Sequence, residues 1–258
     1  MTLGDGAGAS ARENPQREEL AIIMFTGSTV VLTGVGAEGQ VGEVVAGAFG
    51  RLGASVVLVD RTASNVEARA AALVAAGAAA TAYACDLSDA PAVSALAERV
   101  RRNHGEALHA LVHMAGGFAM SGPVADSSLE TWNRQLGINL TTAYLTARAF
   151  LPALRAGRGS VVFFASEAVL PGATGAKASA YAVAKSGVVA LMRAIAAEER
   201  ANGVRANAVA PGTIRTATNV RDMGAAVRYV EREQVAAAVT FLCSPEASAI
   251  SGTVVPLT

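Results

Sequence analysis

Three apolar runs constrain the fold of this chain more than any other feature: residues 30–33 (VVLT), 55–60 (SVVLVD) and 160–165 (SVVFFA). None alternates polar with apolar residues, so neither face of such a strand can be turned to water. Ala-rich stretches with helical spacing lie between them. Strands apolar on both faces and separated by helices specify a parallel sheet covered on both sides. Right-handed crossovers then wind it as a Rossmann-like, doubly wound α/β fold, with ligands at the carboxyl ends of the strands. Residues 81–84, 108–114, 204–210 and 253–257 complete an expected set of about seven strands. Pro256 fits the last of these only at a sheet edge, because proline cannot donate to a ladder.

Helices are expected over residues 41–52, 66–76, 89–102, 129–154, 180–202 and 231–243. Gly77 is placed to stop the second and Pro91 to open the third. Residues 24–258 read as one domain without repeat or linker. Residues 1–23, rich in Gly, Ala and Ser and then running RENPQREE, read as a flexible N-terminal tail, with Met24 as a candidate translation start.

With 52% hydrophobic and 16% charged residues, the chain has the material for a large core. Its 21 basic residues balance 21 acidic ones and form no cluster, which argues against a nucleic-acid or anionic-membrane partner. Cys85 and Cys243 lack metal-ligand spacing and read as buried residues of a reducing compartment; no metal is expected. The apolar run at residues 20–25 is too short for a signal or a membrane span, so the expected address is cytoplasmic.

The segment TGVGAEGQVG (residues 33–42) falls between the first strand and the first helix. Glycines there let the backbone approach a pyrophosphate, and the helix start offers free N–H groups. Gly34, Gly36, Gly39, Val41 and Gly42 are therefore candidate cofactor contacts. Asp60 closes the next strand, 18 residues beyond Gly42. A carboxylate at that place accepts hydrogen bonds from ribose hydroxyls and favours NAD, whereas the neighbouring Arg61 suits the 2′-phosphate of NADP.

Further motifs follow in order: Cys85-Asp86-Leu87, Met114-Ala115-Gly116-Gly117, Asn139 within INLTTAYLTA, Ser166 after SVVFFA, YAVAK (181–185), PGTIRT (211–216) and SGTVVPL near the end. From about Phe25 onward the chain resembles the short-chain dehydrogenase/reductase family, in its short single-domain branch. The resemblance implies an NAD(P)-dependent oxidoreductase that interconverts a small secondary alcohol and a ketone, working as a homotetramer or dimer. Tyr181 and Lys185 stand one helical turn apart, so the ammonium is expected to stabilise the phenolate while Tyr181 acts as general acid/base. The resemblance further gives Lys185 the nicotinamide ribose, Ser166 the substrate oxygen and Asn139 a water linked to Lys185. Asp86 and Leu87 resemble the adenine contacts, and Ala115 and Gly116 allow approach to the adjacent ribose. Pro211, Gly212, Ile214 and Thr216 resemble the frame of the nicotinamide carboxamide.

Four departures from the family pattern stand out. The Gly-rich turn carries about two extra residues. His113-Met114 replaces the usual Asn-Asn, and His113 reads as a structural substitute bonded to the backbone. Ser166 precedes Tyr181 by 15 residues, two more than usual, which makes Glu167 a candidate polar group facing substrate. The segment 216–229 is short for a lid. Phe118, Met120, Val169, Leu170 and Met223 are candidates for an apolar pocket wall, with ordinary packing as the alternative. Two other functions stay open: a 3-oxoacyl or polyketide-type ketoreductase, which needs a basic entrance from Arg215, Arg221 and Arg228, and a non-catalytic dinucleotide sensor.

Overall fold

β1 (Thr29–Thr33) is buried at every position and paired on both sides, to β2 (Ser55–Asp60) and to β4 (Ala110–His113). A computed structural model describes residues 24–258, so the expected tail, residues 1–23, lies outside the described residues. β3 (Ala80–Ala84), β5 (Ser160–Phe164), β6 (Arg205–Pro211) and β7 (Val254–Leu257) extend the sheet to the order β3-β2-β1-β4-β5-β6-β7, every pairing parallel. The chain winds outward from β1 to β3 and then returns to the other side of β1. The connections leaving β1 and β4 therefore part company, opening a crevice at the strands' carboxyl ends.

The alternation of Cβ direction along each strand divides the core in two. Val31, Val57, Leu111 and Val161 point to one layer, beneath α3 (Ala90–His104), α5 (Thr142–Gly157) and α6 (Ser179–Glu198). Val30, Leu32, Leu58 and Val162 point to the other, beneath α1 (Val41–Arg51), α2 (Ala63–Ala75) and α8 (Arg232–Cys243). α6 has the length and apolarity of a membrane span, but Val188, Met192 and Ile195 are buried in the first layer, as a core helix requires. Cys85 and Cys243 are buried free thiols.

Pro256 lies in β7, an outer strand, as its chemistry demands. The carbonyls of Thr253 and Leu257 accept from Ala208 and Gly212 of the β6 side. Parallel pairing then turns Val254 and Pro256 to the open edge, so the missing N–H faces outward.

Two elements differ from expectation. The helix expected over residues 129–154 is three pieces: α4 (Leu129–Leu136), a π turn (Gly137–Thr141) and α5. The cause is Asn139, wholly buried, whose side-chain amide donates to the carbonyls of Gln135 and Gly117 and widens the turn. In the second case, residues 216–229, to which no helix was assigned, hold a short one, α7 (Ala217–Met223). The Thr216 hydroxyl caps it by accepting from the Asn219 N–H at 3.1 Å, and Gly224 (φ 75) ends it.

Candidate active site

The crevice begins at the turn from β1 into α1. Gly34, Gly36 and Gly39 have φ of 72°, 71° and 77°, a region that side chains resist. Gly34 also lies against the segment after β4, where a Cβ on it would be 2.4 Å from Ala115 Cα. Gly42 is needed for packing, since a Cβ there would sit 2.3 Å from the Val35 carbonyl oxygen. The turn leads into α1 at Gln40, whose side chain makes no capping bond. The start of α1 thus presents N–H groups and a positive dipole end to the crevice, a fit for a dinucleotide pyrophosphate. Asp60 closes the turn from below: Oδ2 accepts from Gly36 N–H at 2.8 Å and Oδ1 from Thr62 N–H at 3.0 Å. Arg61 is exposed beside it.

Several residues expected to touch the cofactor are otherwise engaged. Gly39 donates its N–H to Glu43 Oε2 at 2.8 Å, and its carbonyl accepts from Ala217 N–H at 3.0 Å. Its place is therefore between α1 and α7. Gln40 Nε2 reaches Thr218 Oγ1 at 3.0 Å on the same helix, so the enlarged turn and the short lid are tied together. Leu87 is buried in the first core layer, which leaves only its backbone for an adenine. Val41 and Ile214 pack on the second layer, and Thr216 caps α7. Pro211 ends β6, and Gly212 N–H donates to Leu257 carbonyl at 2.8 Å. Asp86 accepts from Ser88 N–H and hydroxyl, which hold its carboxyl below the usual range.

The reacting groups gather at the ends of β5 and α6. Ser166 follows β5 and caps a 3-10 turn (Glu167–Val169), accepting from Ala168 N–H at 3.3 Å. α6 then brings Tyr181 in its first turn and Lys185 on the next. The buried Lys185 ammonium donates to the Phe164 carbonyl at 2.7 Å and stands 5.8 Å from the Tyr181 ring centre. Desolvation lowers its pKa to about 8. The Tyr181 phenol moves up, against the expectation that Lys185 would lower it. Burial raises it most and the Glu167 charge adds to this, while the nearby Ser166 hydroxyl opposes both. Tyr181 thus rests as a proton donor at neutral pH. Phe118 packs edge-on against it at 5.1 Å.

Behind this group, Asn139 Oδ1 accepts from Gly117 N–H at 3.1 Å while its amide donates to Gly117 carbonyl at 3.0 Å. A Cβ on Gly116 would lie 2.5 Å from Asn139 Oδ1 and 3.3 Å from Lys185 Nζ, so only glycine lets the backbone come this close. His113 does not bond the backbone as expected. Its ring nitrogens meet hydroxyls, Nδ1 at 2.9 Å from Thr33 Oγ1 and Nε2 at 3.3 Å from Thr142 Oγ1. Thr142 already donates to Ile138 carbonyl, so Nε2 carries the proton and Nδ1 accepts from Thr33. Burial drives the His113 pKa to about 3 and keeps the ring neutral.

A family model described as enoyl-(acyl carrier protein) reductase, of the short-chain alcohol dehydrogenase type, matches residues 34–257. The chain belongs to the short-chain dehydrogenase/reductase family. It is 31% identical to a D-threitol dehydrogenase of Mycolicibacterium smegmatis, over 92% of this chain and 95% of that one. It is 35% identical to a meso-2,3-butanediol dehydrogenase of Serratia marcescens, over 90% and 94%. A structure from Beutenbergia cavernae, described as a candidate NAD(P)-dependent gluconate 5-dehydrogenase and solved with NADP at low occupancy, superposes with a TM-score of 0.82 at 32% identity, covering 91% of this chain and 96% of that one. This dehydrogenase/reductase is an NAD(P)-dependent oxidoreductase acting on CH–OH groups, interconverting secondary alcohols and ketones.

Sequence reasoning missed the groups that hold this reductase's site from behind. Gln135 braces Asn139 through both its backbone and its side-chain oxygen. Glu43 joins Gly39 N–H to Arg69 at 2.6 Å and Arg232 at 3.2 Å. An acidic residue in the first turn of a helix was the available signal for Glu43. Of the candidate wall residues, Phe118, Met120 and Met223 are exposed. Val169 and Leu170 line a separate cavity of about 410 Å³ beside Val254 and Pro256.

Proposed function

We propose that this protein interconverts a small secondary alcohol and its ketone with NAD preferred over NADP, through Tyr181 as general acid/base. One observation carries the reading: Ser166, Tyr181 and Lys185 cluster at the carboxyl end of β5 and the start of α6, beside the crevice that the glycine turn and Asp60 enclose. The bound nicotinamide supplies hydride transfer. In reduction, the Tyr181 hydroxyl gives its proton to the carbonyl oxygen, which Ser166 holds by a hydrogen bond. Lys185, still mainly protonated at neutral pH, stabilises the phenolate left behind. It and Asp60 bind the two cofactor riboses, and Asn139 fixes the Gly116-Gly117 backbone beside Lys185. Ala115, Gly116, Asp86, the backbone at Leu87 and the Pro211–Thr216 segment complete the cofactor contacts.

Carrier-borne 3-oxoacyl substrates are less well supported, because Arg215 pairs with Glu231 and Arg221 with Asp222. Exposed Tyr144 on α5, Val183 on α6 and Phe241 on α8 support assembly into a dimer or tetramer. The buried free thiols support a reducing, cytoplasmic setting.

The test is a panel of secondary alcohols and ketones followed by nicotinamide absorbance with both cofactors. NAD-linked turnover is expected, and Asp60→Ala should move preference toward NADP. Cofactor binding without turnover across the panel would leave the dinucleotide-sensor reading in its place.

A further inference from the structure

Glu167 directly follows Ser166 and opens the 3-10 turn at the end of β5. Its side chain is exposed, and no donor or cation among the described residues engages it. Its Oε2 lies 3.1 Å from the point where a Cβ on Gly212 would stand, so the absence of a side chain at 212 makes its room. Its charge is felt at the Tyr181 phenol. The other carboxylates around the crevice are occupied. Asp60 holds Gly36 and Thr62; Glu43 holds Gly39, Arg69 and Arg232; Glu231 pairs with Arg215. Glu167 alone in this set adjoins Ser166 in the chain and keeps all its acceptor capacity free.

A free carboxylate beside a proton-transfer centre needs donors from the ligand once water is displaced. An ammonium would suit the charge, but the Lys185 ammonium and the positive ring of an oxidised nicotinamide oppose it. A substrate carboxylate is repelled by Glu167 itself. A neutral hydroxyl meets both conditions. We infer that Glu167 sets specificity by accepting a hydrogen bond from a second hydroxyl adjacent to the reacting carbinol, so that the site takes vicinal diols, polyols or the matching α-hydroxyketones. This rests on Tyr181 and Ser166 marking the reacting centre, as proposed above.

The experiment compares 2,3-butanediol with 2-butanol as matched probes, on the full chain with its nicotinamide cofactor, in the parent, Glu167→Ala and Glu167→Gln. The parent is expected to prefer the diol. Glu167→Ala should lower kcat/KM for the diol by roughly 10- to 100-fold, mostly through KM, as loss of a hydrogen bond to a charged group implies. Turnover of 2-butanol, compared on the plateau of each variant's pH profile, should change by no more than about two-fold on the same basis. Glu167→Gln, which keeps an acceptor of the same shape, should fall between the two. In both variants the pH profile for 2-butanol should shift to lower pH, because a charge that raises Tyr181 has gone. Equal losses on both probes, or a parent indifferent to the second hydroxyl, would overturn the inference and leave the Tyr181 reading standing. No turnover of either probe would overturn the inference alone, since the full alcohol and ketone panel decides the Tyr181 reading.

Discussion

At Tyr181 and Lys185 burial works against the charges that catalysis uses. The phenol is pushed up and the ammonium down to about 8. Alcohol oxidation needs the phenolate, so its rate should climb as pH approaches the raised phenol pKa. Ketone reduction needs the phenol and should hold its rate at neutral pH. Tyr181→Phe should cut turnover by about 10²- to 10⁴-fold, the usual worth of a general acid/base, with cofactor affinity nearly unchanged in fluorescence titration. Lys185 has a second consequence, for stability. Its folded pKa of about 8 lies below the 10.5 of an unperturbed lysine. Below pH 8 both states are charged and the fold bears the whole desolvation penalty. Between about 8 and 10.5 the folded form releases its proton first and stability rises. Lys185→Met should therefore be inactive yet more stable at pH 7 by about 1–2 kcal/mol, the desolvation relief less the hydrogen bond lost at Phe164. Urea melts at pH 7 and 9.5 check this: the advantage should shrink at the higher pH. A destabilised variant at pH 7 would show that the Phe164 bond outweighs the penalty.

Among the elements, two of the three glycines of α1 have opposite prospects. At Gly42 a Cβ would meet the Val35 carbonyl oxygen at 2.3 Å and its Cα at 2.5 Å, and backbone cannot rotate away. Gly42→Ala should cost about 1–3 kcal/mol and weaken cofactor binding, because the phosphate turn must move. At Gly47 the only neighbour is the flexible Arg51 guanidinium at 3.2 Å. Gly47→Ala should stabilise by up to about 1 kcal/mol. Thermal melts of the pair, with and without NAD, separate the two effects. The strands were legible because fully apolar runs have one structural solution, and Pro256 even indicated the outer position of β7. The π turn was not, because the partner that holds its Asn139, Gly117, lies 22 residues away across the fold. α7 was missed because seven residues carry too little periodicity to show a helix. Tyr181 and Lys185 could be read from their spacing, and Ser166 from its strand end. The links from Gln40 to Thr218 and from Glu43 to Arg232 join residues 178 and 189 apart, and no local pattern announces such pairs.

For the whole molecule, the question is how copies meet. Tyr144 and Val183 are 48% and 46% exposed on neighbouring long helices, and Phe241 is 47% exposed on the opposite layer. Large apolar groups so displayed favour association through helix faces. Light scattering should find two or four chains per particle, and a charged replacement such as Val183→Glu should reduce that number without unfolding the chain. Single chains in the unaltered protein would remove the assembly proposal. The other route to association, growth of the sheet itself, is hindered at one of its two edges, that of β7. An incoming strand at that edge would look for donors at Val254 and Pro256 and would find only the first. A ladder with one donor missing between its acceptors is a poorer template for the next chain. One imino ring thus serves as a terminator, leaving stacking into fibres without a starting edge on this side of the molecule.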